Sequence, residues 1–162
     1  MQTVLIAITM ADAAHTVSFM RFIVDDGRGI KQEPTAENIQ RLIDEAFRLR
    51  PEQPASWRII SEAELPDCSC PYRNALRDSG KHFQHDMSHA REIHRARLRF
   101  AREPHLAQLD VEYQRADERG DKKGKVSVTE QKQRLRDLPS NPRIAAAGSV
   151  EELKAAWPDY LA

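Results

Sequence analysis

The chain has 162 residues, 40% of them apolar and 31% charged, and its 25 basic and 25 acidic residues cancel to a formal net charge of zero. That length fits one large domain or two small ones, and the composition can build a core but is too polar for a membrane protein. No apolar run approaches the roughly 20 residues that span a bilayer, and the start, MQTVLIAIT, lacks the basic region of a signal peptide and reads as a strand.

Residues 3–9 alternate Val4, Ile6 and Ile8 against Thr3, Leu5 and Ala7, and residues 16–24 continue with Val17, Phe19, Phe22, Ile23 and Val24. Two such runs joined by a short connection predict a β-hairpin. The stretch DDGRG at 25–29 then breaks the strand as a turn. Thr35 is placed to cap a helix running to about Arg48, with Ile39, Leu42, Ile43 and Phe47 on one apolar face, and Pro51 and Pro54 end it. Residues 56–60 read as a third strand, half buried, with Trp57 and Ile59 alternating against Arg58. Residues 64–85, with Pro66, Pro71, Gly80 and no sustained period, read as a linker with one short turn around 72–76.

Beyond it, Asp86 is placed to cap a helix marked by Met87, Ala90, His94, Leu98 and Ala101, which Pro104 is expected to kink or stop. A second segment carries Leu106, Leu109, Tyr113 and Ala116 up to Gly120. SVTE at 127–130 reads as a capping box opening a third helix, with Val128, Gln131, Leu135 and Leu138, and SVEE at 149–152 as a second box, opening a short helix that Pro158 ends. The expected class is therefore α+β: a ββαβ domain at 1–63, a linker at 64–85, and at 86–162 a helical domain built from an antiparallel hairpin and a short C-terminal helix. The apolar stripes are narrow, so these helices need an antiparallel neighbour or another protein.

Chemistry-bearing residues are sparse. Cys68, Cys70, His82, His85, His89 and His94 fall within 27 residues and are types that zinc prefers. A single residue between the cysteines argues against a zinc site, and cysteines this close also rarely form a relaxed disulfide. His94 lies on the apolar stripe, where a histidine is more often a hydrogen-bonded core residue than a ligand or base. Asp110, Glu112 and Asp117 lie on one helix with no cleft to perturb them. Neither a Ser-His-Asp nor a Cys-His arrangement nor a glycine-rich nucleotide loop is legible, so no enzyme, no cofactor and no metal is expected. Residues 73–143 hold 17 basic and 11 acidic residues, and Arg91, Arg95, Arg99 and Arg102 line one helix flank with Arg97 nearby. Interleaved acids disfavour sequence-specific nucleic-acid readout, and long arginine stems also cover apolar surface or pair across a helix interface.

Six segments set the C-terminal half apart: YRNALRD at 72–78, HDMSHAREIHR at 85–95, LAQLDVEY at 106–113, KQRLRD at 132–137, SVEELK at 149–154 and WP at 157–158. Their order resembles the tail assembly chaperones, or tail-fibre assembly proteins, encoded beside tail-fibre genes in bacteriophages and prophages. The resemblance covers roughly half of the chain and leaves out Cys68, Cys70 and the N-terminal region. It implies a non-enzymatic protein in the host cytoplasm that helps a phage tail or tail-fibre protein fold and trimerise. It also implies partner-facing or hairpin-core roles for residues such as Leu106 and Tyr113. With the arginine row, the expected partner-binding set is Arg91, Arg95, Arg99, Arg102, Leu106 and Tyr113. A structural tail or baseplate component retained in the virion is the alternative, and a small metal- or nucleic-acid-binding regulator the third. The oligomeric state is left open.

Overall fold

A computed structural model describes residues 2–12, 14–28, 31–67 and 69–161. The chain is α+β and divides into two compact units, Met1–Asp86 and Met87–Ala162.

In the first unit, β1 (Gln2–Met10) pairs antiparallel with both β2 (Val17–Asp25) and β3 (Pro54–Ile60), giving the strand order β2-β1-β3. Between β2 and β3 runs α1 (Ala36–Phe47), whose cap is Thr35 accepting from the Asn38 amide at 3.2 Å. The central strand is buried on both faces. Ile6, Ile8 and Met10 pack with Phe22 and with Ile39, Ile43 and Phe47 of α1. Leu5 and Ala7, pointing the other way because side chains alternate along a strand, pack with Val17, Ile60 and Leu76. Leu42 and Ile59 fall outside this scheme: Leu42 is 37% exposed and Ile59 50% exposed. Trp57 is half buried as expected and donates to Gln40 Oε1 at 2.7 Å.

The second sheet face is covered by the segment expected to be a linker. The described residues of 64–85 belong to the first unit and form this layer. They contain a 3₁₀ turn (Arg73–Ala75) and a hairpin of β4 (Leu76–Asp78) with β5 (Phe83–His85). Tyr72, Ala75 and Leu76 are buried, and Leu65 and Phe83 lie against the same core. The linker reading is thus corrected: a sheet with apolar residues on both faces needs two covers, and α1 supplies only one. Among the described residues 25–28 the turn reading holds, with the Asp25 and Asp26 carboxylates accepting from the Gly27 and Arg28 amides; Gly29 lies outside them.

Arg58 ties the layer to the sheet. Its Nε donates to Asp78 at 2.8 Å, its Nη1 to Glu64 at 2.8 Å, and its guanidinium lies 4.8 Å from the centre of the Phe83 ring. The Glu64 carboxylate also accepts from the Ser61 amide and hydroxyl. The Ser61 amide first, then Arg58, hold the Glu64 carboxyl down from 4.5 to about 2. A carboxyl whose folded value is depressed contributes stability that is present above its unfolded value and lost as pH falls through the folded one. The first unit should therefore lose stability between pH 4.5 and about 2, and Glu64→Gln should flatten that part of an acid-unfolding curve. An acid limb unchanged by the substitution would contradict the assignment.

The second unit is helical: α2 (Met87–Glu118), α3 (Lys122–Asp137), a 3₁₀ turn (Leu138–Ser140), α4 (Pro142–Ala146), α5 (Val150–Ala155) and a final 3₁₀ turn (Asp159–Leu161). Two expectations are corrected here. First, α2 does not stop at Pro104 but runs through it for 32 residues. An interior proline costs a helix about 3 kcal/mol; buried Leu98 before it and Leu109 after it anchor both halves to the rest of the unit. Second, α3 starts five residues before Ser127. Gly120, at φ +67°, closes α2, with the Asp121 amide donating to Ala116 at 2.8 Å and the Gly120 amide to Asp117 at 2.9 Å. This is a Schellman arrangement. Asp121 then caps α3 at once by accepting from the Gly124 amide. Ser127 sits inside the helix, where its hydroxyl accepts from Gln131. The Ser149 cap forms, accepting from the Glu152 amide at 3.2 Å, while the Glu152 carboxylate accepts from Gly148 rather than from Ser149.

Candidate protein-docking surface of the helical unit

The short α2–α3 connection makes the two helices antiparallel neighbours. Their seam holds buried Leu109, Val128 and Leu135, flanked by Leu106, Tyr113, Leu138 and Leu161. Ion pairs of Lys132 with Asp110 and of Lys125 with Asp117 close its edge, and both lysines lie against the Tyr113 ring. The N-terminal part of α2 packs instead on α4 and α5, where Ile144, Val150 and Leu153 are buried.

The expected partner-binding residues separate into two groups. Four are engaged within the chain. Arg91 donates to the Ala147 carbonyl at 2.9 and 3.2 Å, holding the loop between α4 and α5. Arg102 Nη1 donates to the carbonyls of Leu135 and Arg136 at 3.2 and 2.7 Å, near the end of α3 where helical carbonyls lack amide partners. Leu106 and Tyr113 belong to the hairpin core. Leu106 and Tyr113 thus take the hairpin-core role, and Arg91 and Arg102 make hydrogen bonds within the unit. Arg95 and Arg99 form no hydrogen bond or ion pair among the described residues, and Arg99 is exposed.

Beside the seam lies an open cleft of about 350 Å³. Leu109 and Leu135 contribute its apolar part, and His105, Glu112, Arg134 and Tyr160 are among the residues around it. Tyr160 is 60% exposed, a large aromatic held at the mouth by the turn that places Leu161 against the hairpin core. Sequence reading missed Arg134 and Tyr160, because neither lies on an apolar stripe; the signal was the aromatic at 160, just past the Trp157–Pro158 break.

His94 is buried in the helical unit, with its ring edge-on to Trp157 at 5.5 Å, and Arg97 covers another part of the same indole at 4.9 Å. Burial first, then the charges of Arg97 and Arg95, push the His94 imidazole below its ordinary value of 6.5. Unfolding exposes a group that takes up a proton more readily, so the helical unit should lose stability as pH falls below 6.5. Acid titration of the helix signal checks this: His94→Gln should remove the part of the slope just below 6.5, and an identical slope would exclude His94 as its source. Among the described residues, no group of three or more His, Cys, Asp and Glu side chains is placed to hold a metal ion. Cys70 is buried, and Cys68 lies outside the described residues. No helix among the described residues is long and apolar enough to cross a membrane.

No protein-family model, curated protein or solved structure matches the chain.

Proposed function

We propose that the chain is a non-enzymatic assembly chaperone for a phage tail protein, most directly a tail fibre, and that the helical unit carries its client-binding surface. The observation that carries this reading is the cleft beside the α2–α3 seam, with leucine side chains within it and a charged and aromatic rim. Such a surface suits transient capture of an apolar segment, since a small apolar centre with a polar rim binds without the large permanent burial of an obligate complex. Arg95 and Arg99, not engaged by neighbours, add positive charge to the same unit and would steer an acidic client surface. Of the segments that resemble tail assembly chaperones, 106–113 lies in α2 and 132–137 in α3, and most of 85–95 and of 149–154 lies in α2 and α5.

Co-expression of the full chain with the tail-fibre protein of the same phage tests the proposal. The fibre should become soluble and copurify, and be absent from the chaperone fraction when Tyr160→Ala and Arg134→Ala, at two exposed residues of the cleft, are combined. A chain found at fixed stoichiometry in mature virions would instead favour a structural tail component.

A further inference from the structure

The cleft beside the hairpin seam is partly covered by the chain itself. Two adjacent side chains of the final 3₁₀ turn, Asp159–Leu161, reach the hairpin. Leu161 packs on the cluster of Leu109, Val128 and Leu135, and Leu109 and Leu135 also give the cleft its apolar part. Tyr160 stands exposed at the mouth. Few ties hold the turn there. Trp157 fixes its root against His94 and Arg97, and the Leu161 amide donates to the Pro158 carbonyl at 3.0 Å, a bond internal to the turn. Among the described residues, no hydrogen bond or ion pair joins residues 158–161 to α2 or α3. The two helices, by contrast, are pinned to each other by the Lys132–Asp110 and Lys125–Asp117 pairs and by Arg102. Apolar contact is non-directional, so an aliphatic side chain from elsewhere can take the place of Leu161.

The rim of the cleft adds a preference of charge. The Glu112 carboxylate already accepts from Gln108 at 3.1 Å, whereas Arg134 forms no hydrogen bond or ion pair among the described residues. The group left for a partner to meet is thus a cation, and a carboxylate complements it. The turn itself joins the same two chemistries, with Asp159 two residues before Leu161. Anchored through Trp157, Asp159 forms no ion pair among the described residues. We infer that residues 159–161 are a built-in stand-in for the client, and that the cleft takes a short segment with an aliphatic side chain and a carboxylate close by. The aliphatic residue enters where Leu161 now rests, the carboxylate pairs with Arg134, and Tyr160 closes over both, adding a large contact with only two side-chain torsions to fix. This assignment of the client segment's chemistry rests on the cleft being the client-binding surface.

Fluorescence anisotropy of a labelled peptide of residues 158–161, titrated with the full chain, tests this. In the parent the peptide competes with a tethered copy of itself, present at an effective concentration of about millimolar order. Leu161→Ser should therefore bind the peptide at least about tenfold more tightly than the parent, with the circular dichroism unchanged, and Leu161→Ala should act in the same direction. Adding Arg134→Glu to Leu161→Ser should abolish binding, and a peptide with lysine in place of Asp159 should recover it. Equal binding by the parent and Leu161→Ser would overturn the inference, as would no binding by either, or binding indifferent to Arg134→Glu. The tail-fibre protein separates this from the client reading. Its recovery should rise with Leu161→Ser and fall with Tyr160→Ala, although the two residues are adjacent. A fibre recovered equally with the parent and with Leu161→Ser would overturn the stand-in and leave the client reading in place. Peptide binding that follows the expected order, with no fibre bound by any variant, would uphold the stand-in and sink the tail-fibre client.

Discussion

Leu135→Ala should lower the unfolding free energy of the helical unit by about 2–4 kcal/mol. Leu135 is 7% exposed and packs with Leu109 and Val128, so truncation leaves a void where two helices meet, and the long flanking side chains refill it only in part. The chain offers a clean reporter. Of its two tryptophans, Trp157 lies in the helical unit and Trp57 in the sheet unit, so urea titration of a Trp57→Phe background reads the helical transition alone. A loss below about 0.5 kcal/mol is what a surface position shows, and would mean that Leu135 faces solvent or a partner rather than the seam.

Tyr72→Ala should be costlier still, about 3–5 kcal/mol by analogy with other large aromatic truncations. Tyr72 is 1% exposed, in the segment that covers the second face of the sheet. In a Trp157→Phe background, Trp57 reports the unit concerned. The variant also decides between the two accounts of residues 64–85. A linker tolerates the change within about 0.5 kcal/mol, whereas a structural layer does not. The same layer should resist limited proteolysis; rapid cleavage within β4 or β5 of the native chain would contradict it.

The parts of the fold legible in the sequence are those whose signal is local. The β1–β2 hairpin, the Thr35 cap and the Ile39–Ile43–Phe47 face of α1 each follow from spacing within a single element. The second layer was not legible because β4 and β5 are three residues each, too short to show a period, and because its apolar members, Leu65, Leu76 and Phe83, are widely spaced. One signal did exist: Val4 to Ile8 is an unbroken apolar run, the mark of a strand covered on both faces. Pro104 misled for a different reason. Its local cost is visible in sequence, but the packing of Leu98 and Leu109 that outweighs it is not. At 127, the capping-box residues are present, but the Gly120–Asp121 pair ends one helix and caps the next before Ser127 is reached. The candidate docking surface was half legible: the arginine row was visible, while the difference between Arg91 and Arg102, bound to carbonyls, and Arg95 and Arg99, which are not, depends on α3 and on the loop before α5.

The helical unit as the client-binding part is tested most directly by copurification of the tail-fibre protein with the full chain carrying Arg95→Glu and Arg99→Glu. Both positions lie outside the hydrogen-bonded framework, so circular dichroism should stay that of the parent. The proposal expects fibre recovery to fall at least about tenfold at low salt and the parent's salt dependence to vanish. A soluble, trimeric fibre recovered in full with this variant, and also with the Tyr160→Ala, Arg134→Ala variant, would contradict it and move the binding surface to the sheet unit.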